Sequence, residues 1–176
     1  VLYRGVGRID AVQPVRWWGQ ALEWLATSLT GERIAEIQYW GHGKWGQVLI
    51  DGQILDEHAL APQAHHAARL DRIRDRLIGP EALWWFRTCE TFGCVPGQRF
   101  ARRWVERFGC RAAGHTFIIG PWQSGLHTLS PGQDPTWSPS EGLAQGTPEA
   151  PEEALWSARH QPHTISCLHG AIPRGY

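Results

Sequence analysis

Two short apolar runs, residues 34–40 and 83–88, constrain this chain more than any other feature. Each suits a strand and is too short for a helix, and the first shows little polar alternation, as expected of a strand covered on both faces. Between them, roughly over 63–78, His66, Leu70, Ile73 and Leu77 fall on one helical stripe. The charges from Arg69 to Arg76 occupy the remainder and read as a solvated face laced with local ion pairs. Gly79-Pro80 stops that helix. After the second run, Pro96-Gly97 opens a helix with Phe100, Trp104 and Phe108 on its buried side, and Gly109 to His115 reads as another strand. Strand, helix, strand, helix, strand implies right-handed crossovers and a largely parallel sheet. The predicted class is α/β.

The flanks are simpler. Val1-Leu2-Tyr3 reads as a short strand, and after Gln13-Pro14 the residues Trp18, Leu22, Leu25 and Leu29 describe one helix face that ends at Thr30-Gly31. Asp51-Gly52, between two apolar stretches, is a strong hairpin signal. From Gly120 onward, six prolines interleaved with glycines leave little room for a regular element before 152–157. Trp122, Trp137 and Trp156 argue against disorder, so 121–163 reads as an ordered loop lining a groove, followed by a strand at 164–168 and a tail.

The chemistry concentrates where the two apolar runs end. Tyr39-Trp40-Gly41-His42-Gly43 closes the first and Trp84-Trp85-Phe86-Arg87-Thr88-Cys89 the second. Residues just past the C-terminal ends of parallel strands meet at one sheet edge, where open α/β folds place their sites. A thiolate attacks carbonyl carbon well, and an imidazole can hold the thiol proton and return it to a leaving amine. Glycines around His42 leave room for a substrate backbone and permit positive φ. The amides of Gly43 and Cys89 are the expected oxyanion donors. Alone, Gly-His-Gly is more often a strand-ending turn; a cysteine about 50 residues later favours the dyad.

This pattern resembles the caspase-like cysteine peptidases: caspases, metacaspases, clostripain, gingipains and bacterial CHAT domains. The resemblance rests on the two strand ends, on Cys89-Glu90-Thr91-Phe92-Gly93-Cys94-Val95-Pro96-Gly97 with the helix that follows, and on Gly109-Cys110-Arg111-Ala112-Ala113-Gly114-His115. It covers roughly 34–120. It implies a caspase-like three-layer sandwich, with a mostly parallel central sheet and helices on both faces, in one domain spanning 1–176. The implied activity is endopeptidase cleavage by Cys89 and His42, with no third acid, cofactor or metal required. The implied partners are a protein or peptide substrate and a regulatory domain or partner protein, as in many bacterial relatives. The signature Gln-Ala-Cys-x-Gly is replaced by Arg87-Thr88-Cys89-Glu90-Thr91, so aspartate specificity does not carry over. Arg87, Glu90 and Asp134 are the charged candidates for the substrate pocket; the first would favour an acidic side chain and the others a basic one, toward which the reading leans. Glu90 would also raise the pKa of the neighbouring thiol. That keeps open a catalytically silent caspase-like domain acting as a binding or assembly module.

Other classes are less favoured. The formal net charge of zero gives no electrostatic case for nucleic acid or a membrane surface. There is no transmembrane run and no signal-peptide pattern, and the chain begins at Val1 without any methionine, so it reads as a fragment of a cytoplasmic protein. Of the four cysteines, Cys94, Cys110 and Cys167 read as small buried apolar residues with free thiols. Cys89, Cys94, His42 and His115 are ligand types that zinc accepts, but the second half of a structural zinc site is missing. His65 and His66 read as surface residues, while His115, His127 and His169 could each reach the site with nothing to select among them. The eleven tryptophans read as core or groove wall, with a sugar-binding platform as the rival.

Overall fold

The computed structural model describes residues 9–176; the strand expected at Val1-Leu2-Tyr3 lies outside them. In chain order the elements are α1 (Trp18–Thr27), β1 (Glu36–Trp40), β2 (His42–Lys44), β3 (Gln47–Ile50), β4 (Gln53–Leu55), α2 (Ala67–Arg76), β5 (Leu83–Arg87), α3 (Cys94–Phe108), β6 (Arg111–His115), β7 (Trp122–Gln123), β8 (Leu126–Leu129), β9 (Leu143–Gly146), β10 (Pro151–Ala154) and β11 (Ile165–Ser166). The central sheet has the order β1-β5-β6-β8. Its first three strands are parallel and β8 joins antiparallel. The molecule is thus mixed α/β with a mostly parallel central sheet. Among the described residues, no helix is long and apolar enough to cross a membrane.

Strand order dictates where the helices go. From β1 through α2 to β5, and from β5 through α3 to β6, the chain steps across the sheet in one direction, so two right-handed crossovers put both helices on the same face. The packing agrees. Ile37, Trp84, Phe86, Ala112 and Leu129 share one cluster with Leu22 of α1, Leu70 and Ile73 of α2, and Phe100 and Trp104 of α3. The opposite face carries Leu83, Trp85, Ala113 and Leu126, and these pack with Ile165, Ile172 and Tyr176 instead of a helix. The expected helices on both faces are therefore found on one. The strand order does not reverse among the parallel strands, so no crossover helix is delivered to the second face, and the C-terminal segment covers it.

Further departures have local causes. β1 is an edge strand, and only Ile37 in it is fully buried. α1 stops at Thr27, and Leu29 stands exposed with φ 48° instead of continuing the stripe. The helix expected at 63–78 is shorter, and its charges reach beyond the helix: Arg69 and Arg72 both bind Glu23 on α1, while Arg107 of α3 binds Asp71. Asp51 and Gly52 take φ of 46° and 76°, the two left-handed positions of the predicted hairpin turn. Pro96 sits in the first turn of α3, where the missing N–H costs nothing, and Gly109 closes the helix in the left-handed conformation. The stretch 121–163 is not one long loop: it holds β7 to β10, and β8 completes the central sheet. Its strands are two to four residues long and carry Gln, His, Thr and Gly between turns, too little periodicity to signal a strand.

Candidate active site

Parallel pairing brings the two motif ends together. Trp40 of β1 stands opposite Arg87 of β5, so His42 and Cys89 each follow two residues beyond neighbouring positions about 4.8 Å apart. His42 does not sit in a free loop; it opens β2, which pairs with β3 in a three-stranded antiparallel sheet. The Cys89 loop is tied to this small sheet through Thr91. Gly46 N–H donates to the Thr91 carbonyl at 2.9 Å, and Thr91 Oγ1 donates to the Gln47 carbonyl at 3.4 Å. Thr91 Oγ1 also lies 2.6 Å from Thr88 Oγ1 and 3.1 Å from the Cys89 carbonyl oxygen.

Gly43 packs closely against the Cys89 loop. A Cβ added there would lie 2.1 Å from Thr91 Oγ1, 2.7 Å from Thr88 Cβ and 2.8 Å from the Cys89 carbonyl oxygen. Neither Gly41 nor Gly43 adopts positive φ, so the expected conformational reason for these glycines is replaced by a steric one. The sequence carried that signal only as a glycine; what it touches depends on the fold.

The thiol is not activated as the structure stands. Cys89 is half-buried, and its Sγ donates to the Ile119 carbonyl at 3.9 Å; no hydrogen bond links it to His42, which is exposed. Burial pushes the Cys89 pKa up, and the Glu90 carboxylate adds to the rise. The expected effect of Glu90 on the thiol is thus present. Glu90 is itself buried with φ 30°, its Oε2 has no hydrogen-bond partner, and burial pushes its carboxyl up to about 7 against the pull of Lys44. The Cys89 amide is not bonded to the backbone of another described residue, which leaves it able to donate to an oxyanion. Gly43, the other expected donor, pairs with Val48 in the β2–β3 ladder.

The remaining pocket candidates lie elsewhere. Arg87 is only 2 % exposed. Its guanidinium lies between the Trp40 and Trp85 rings, 3.9 and 4.2 Å from their centroids. It donates to Gln123 Oε1 from Nε and Nη2, and to the carbonyls of His169 and Cys167. These bonds tie the C-terminal layer to the sheet. Asp134 forms an exposed ion pair with Arg102 on α3.

None of the four cysteines is in a disulfide; Cys94 and Cys110 are buried, with pKa values pushed by burial up to about 11 and 12, and Cys167 is half-buried. His115 is fully buried against the Ser124 carbonyl, His127 binds Glu141, and His169 binds Ser166, so none of the three is bonded to Cys89. The ligand types proposed for zinc from the sequence do not converge. Among the described residues, the metal-ligating group that does converge is His127, Glu141 and His163. Of these only His127 had a signal in the sequence; Glu141 and His163 are brought to it by turns in the Pro/Gly-rich stretch. A cavity of about 810 Å³ is an open trough lined by Trp17, Trp18, Trp24, Ile54 and His66 and contains neither Cys89 nor His42. The trough and the Cys89–His42 edge are therefore different places on the molecule. No protein-family model, curated protein or solved structure matches this chain.

Proposed function

We propose that this chain is a caspase-like cysteine endopeptidase domain acting through Cys89 and His42. The observation that carries the reading is the contact at Gly43, where a Cβ would lie 2.8 Å from the Cys89 carbonyl oxygen. Two loops of the expected chemical types are in contact at the C-terminal ends of adjacent parallel strands. The order β1-β5-β6, with histidine after the first strand and cysteine after the second, supports a caspase-like sandwich in which the C-terminal segment replaces one helical layer.

In this mechanism the Cys89 proton passes to His42 as the sulfur bonds to the scissile carbonyl carbon. The amides of Cys89 and Gly43 receive the developing oxyanion. His42 then gives the proton to the leaving amine, and water releases the acyl group from sulfur. Glu90 is the remaining charged candidate for a basic substrate side chain, since Arg87 and Asp134 are engaged elsewhere. At rest the thiol is neutral and turned to Ile119, and a bound peptide substrate would bring the imidazole and sulfur into register. The second reading, a silent binding or assembly module, draws on the same elevated thiol.

Labelling and cleavage separate them. In a Cys167→Ser background, iodoacetamide at neutral pH should modify the half-buried Cys89 ahead of the buried Cys94 and Cys110. Cleavage of an unstructured protein should disappear in Cys89→Ala and His42→Ala alike. No cleavage by the unaltered chain, or cleavage that survives His42→Ala, would leave only the binding module.

A further inference from the structure

We propose that His127, Glu141 and His163 form a binding site for a divalent transition-metal ion of the zinc type, separate from the cysteine and independent of the peptidase reading. Their ligand atoms all lie within 4.8 Å of one another. Two imidazoles and one carboxylate are a donor set that zinc accepts while keeping a position open. Three separate segments supply it: β8, the turn before β9, and the approach to β11.

The ligands are held as metal ligands usually are, by outer partners that fix their orientation. Glu141 Oε1 accepts a 2.7 Å hydrogen bond from Thr116 Oγ1. The His127 ring is buried and stacks on Trp137 at 4.9 Å with 15° between planes. Trp137 is anchored in turn by donating Nε1–H to the Phe92 carbonyl at 2.9 Å. His163 stands edge-on to His127, centroids 4.8 Å apart, and its ring centroid is 5.4 Å from that of Tyr176. Its carbonyl accepts from Leu126 N–H, and its φ is 46°, a conformation rare outside glycine, so the backbone is held in an unusual state to bring this ring to the cluster. Gly125 is required as well: a Cβ there would lie 2.9 Å from Glu141 Oε1 and 1.8 Å from Thr116 Oγ1.

In the metal-free protein, His127 Nε2 and Glu141 Oε1 are joined through a proton in a hydrogen bond of 2.7 Å. An ion takes the place of that proton. With bonds of roughly 2.0–2.2 Å the ligand atoms of a tetrahedral site stand about 3.3 Å apart. Loading therefore needs a small turn of the Glu141 carboxylate and an inward swing of the exposed His163 ring. The solvent side of His163 leaves the fourth position for water. Because the three ligands come from separate segments, a bound ion would also fasten the C-terminal layer to the sheet.

The test is zinc titration of the metal-free full chain by calorimetry, with cobalt(II) absorbance to identify the ligands and thermal unfolding as a second readout. We expect one ion per chain, cobalt bands without thiolate charge transfer, and a higher melting temperature with zinc. His163→Ala, at an exposed position, should keep the fold and weaken binding at least ~tenfold, and Thr116→Val should weaken it by about tenfold through the carboxylate. No zinc binding by the unaltered chain, undiminished binding by His163→Ala, or a thiolate charge-transfer band would each overturn the site.

Discussion

The two faces of the central sheet are buried by different physics. On the helix side, Trp84, Phe86, Phe100, Trp104 and Phe108 form a continuous aromatic stack, with Trp104 4.7 Å from Trp84 and 4.8 Å from both Phe86 and Phe108. On the other side a guanidinium does the joining: Arg87 lies between two indoles and is hydrogen-bonded to Gln123 and to carbonyls of the tail, with the buried His115 also on that side. Apolar packing is forgiving of direction, whereas a buried cation holds its layer only while every donor has its acceptor. The helix side should therefore govern global stability and the tail side local opening.

The largest effect should come from the aromatic stack. Trp104→Ala removes a fully buried indole and is expected to cost about 3–5 kcal/mol in urea unfolding, loosening both faces together. If the tail face loosened alone, the assignment of global stability to the helix side would be wrong.

Arg87→Met comes next. It leaves Gln123 and two tail carbonyls without their donor, at a cost of about 2–3 kcal/mol, and should raise hydrogen exchange at residues 165–169 before α3 responds. Arg87→Lys should recover only part of the loss, because an ammonium cannot reproduce the planar fork. Equal exchange across both faces would remove the distinction.

The smallest effect, over the first pH unit of acidification, is one of pH. Burial holds the His115 pKa at about 3, against 6.5 in the unfolded chain. The unfolded state binds the proton first, so this contribution is complete above about pH 6.5 and is lost as pH falls toward 3. Glu90 acts oppositely: its carboxyl rises from 4.5 to about 7, so stability drains as pH rises across that window. In a Glu90→Gln background the urea midpoint should fall on acidification from pH 6.5, with the tail face opening first, and His115→Asn should flatten the slope. A slope unchanged by that substitution would acquit His115.

The same contrast explains what could be read in advance. The helix side announces itself in the stripe Phe100, Trp104, Phe108, because period and apolarity are local properties of the chain. The hairpin at Asp51-Gly52 was legible for the same reason. So were the two strand ends carrying His42 and Cys89. The tail side had no such signal: Arg87 looked like a recognition charge, and only the arrival of Gln123, Cys167 and His169 makes it a clasp. Glu141 and His163 likewise acquire meaning only beside His127.

By itself, the sequence determined the alternation of parallel strands and helices, and hence that residues following β1 and β5 share one edge. Those are consequences of periodicity and of the handedness of crossovers, both short-range rules. Tertiary structure alone decided that the helices share one face, that Gly43 touches the Cys89 loop, that the thiol turns to Ile119, and that three distant side chains converge near β8. These depend on contacts between segments far apart in the chain, whose partners are chosen by packing and by the satisfaction of buried charge, which no local pattern encodes.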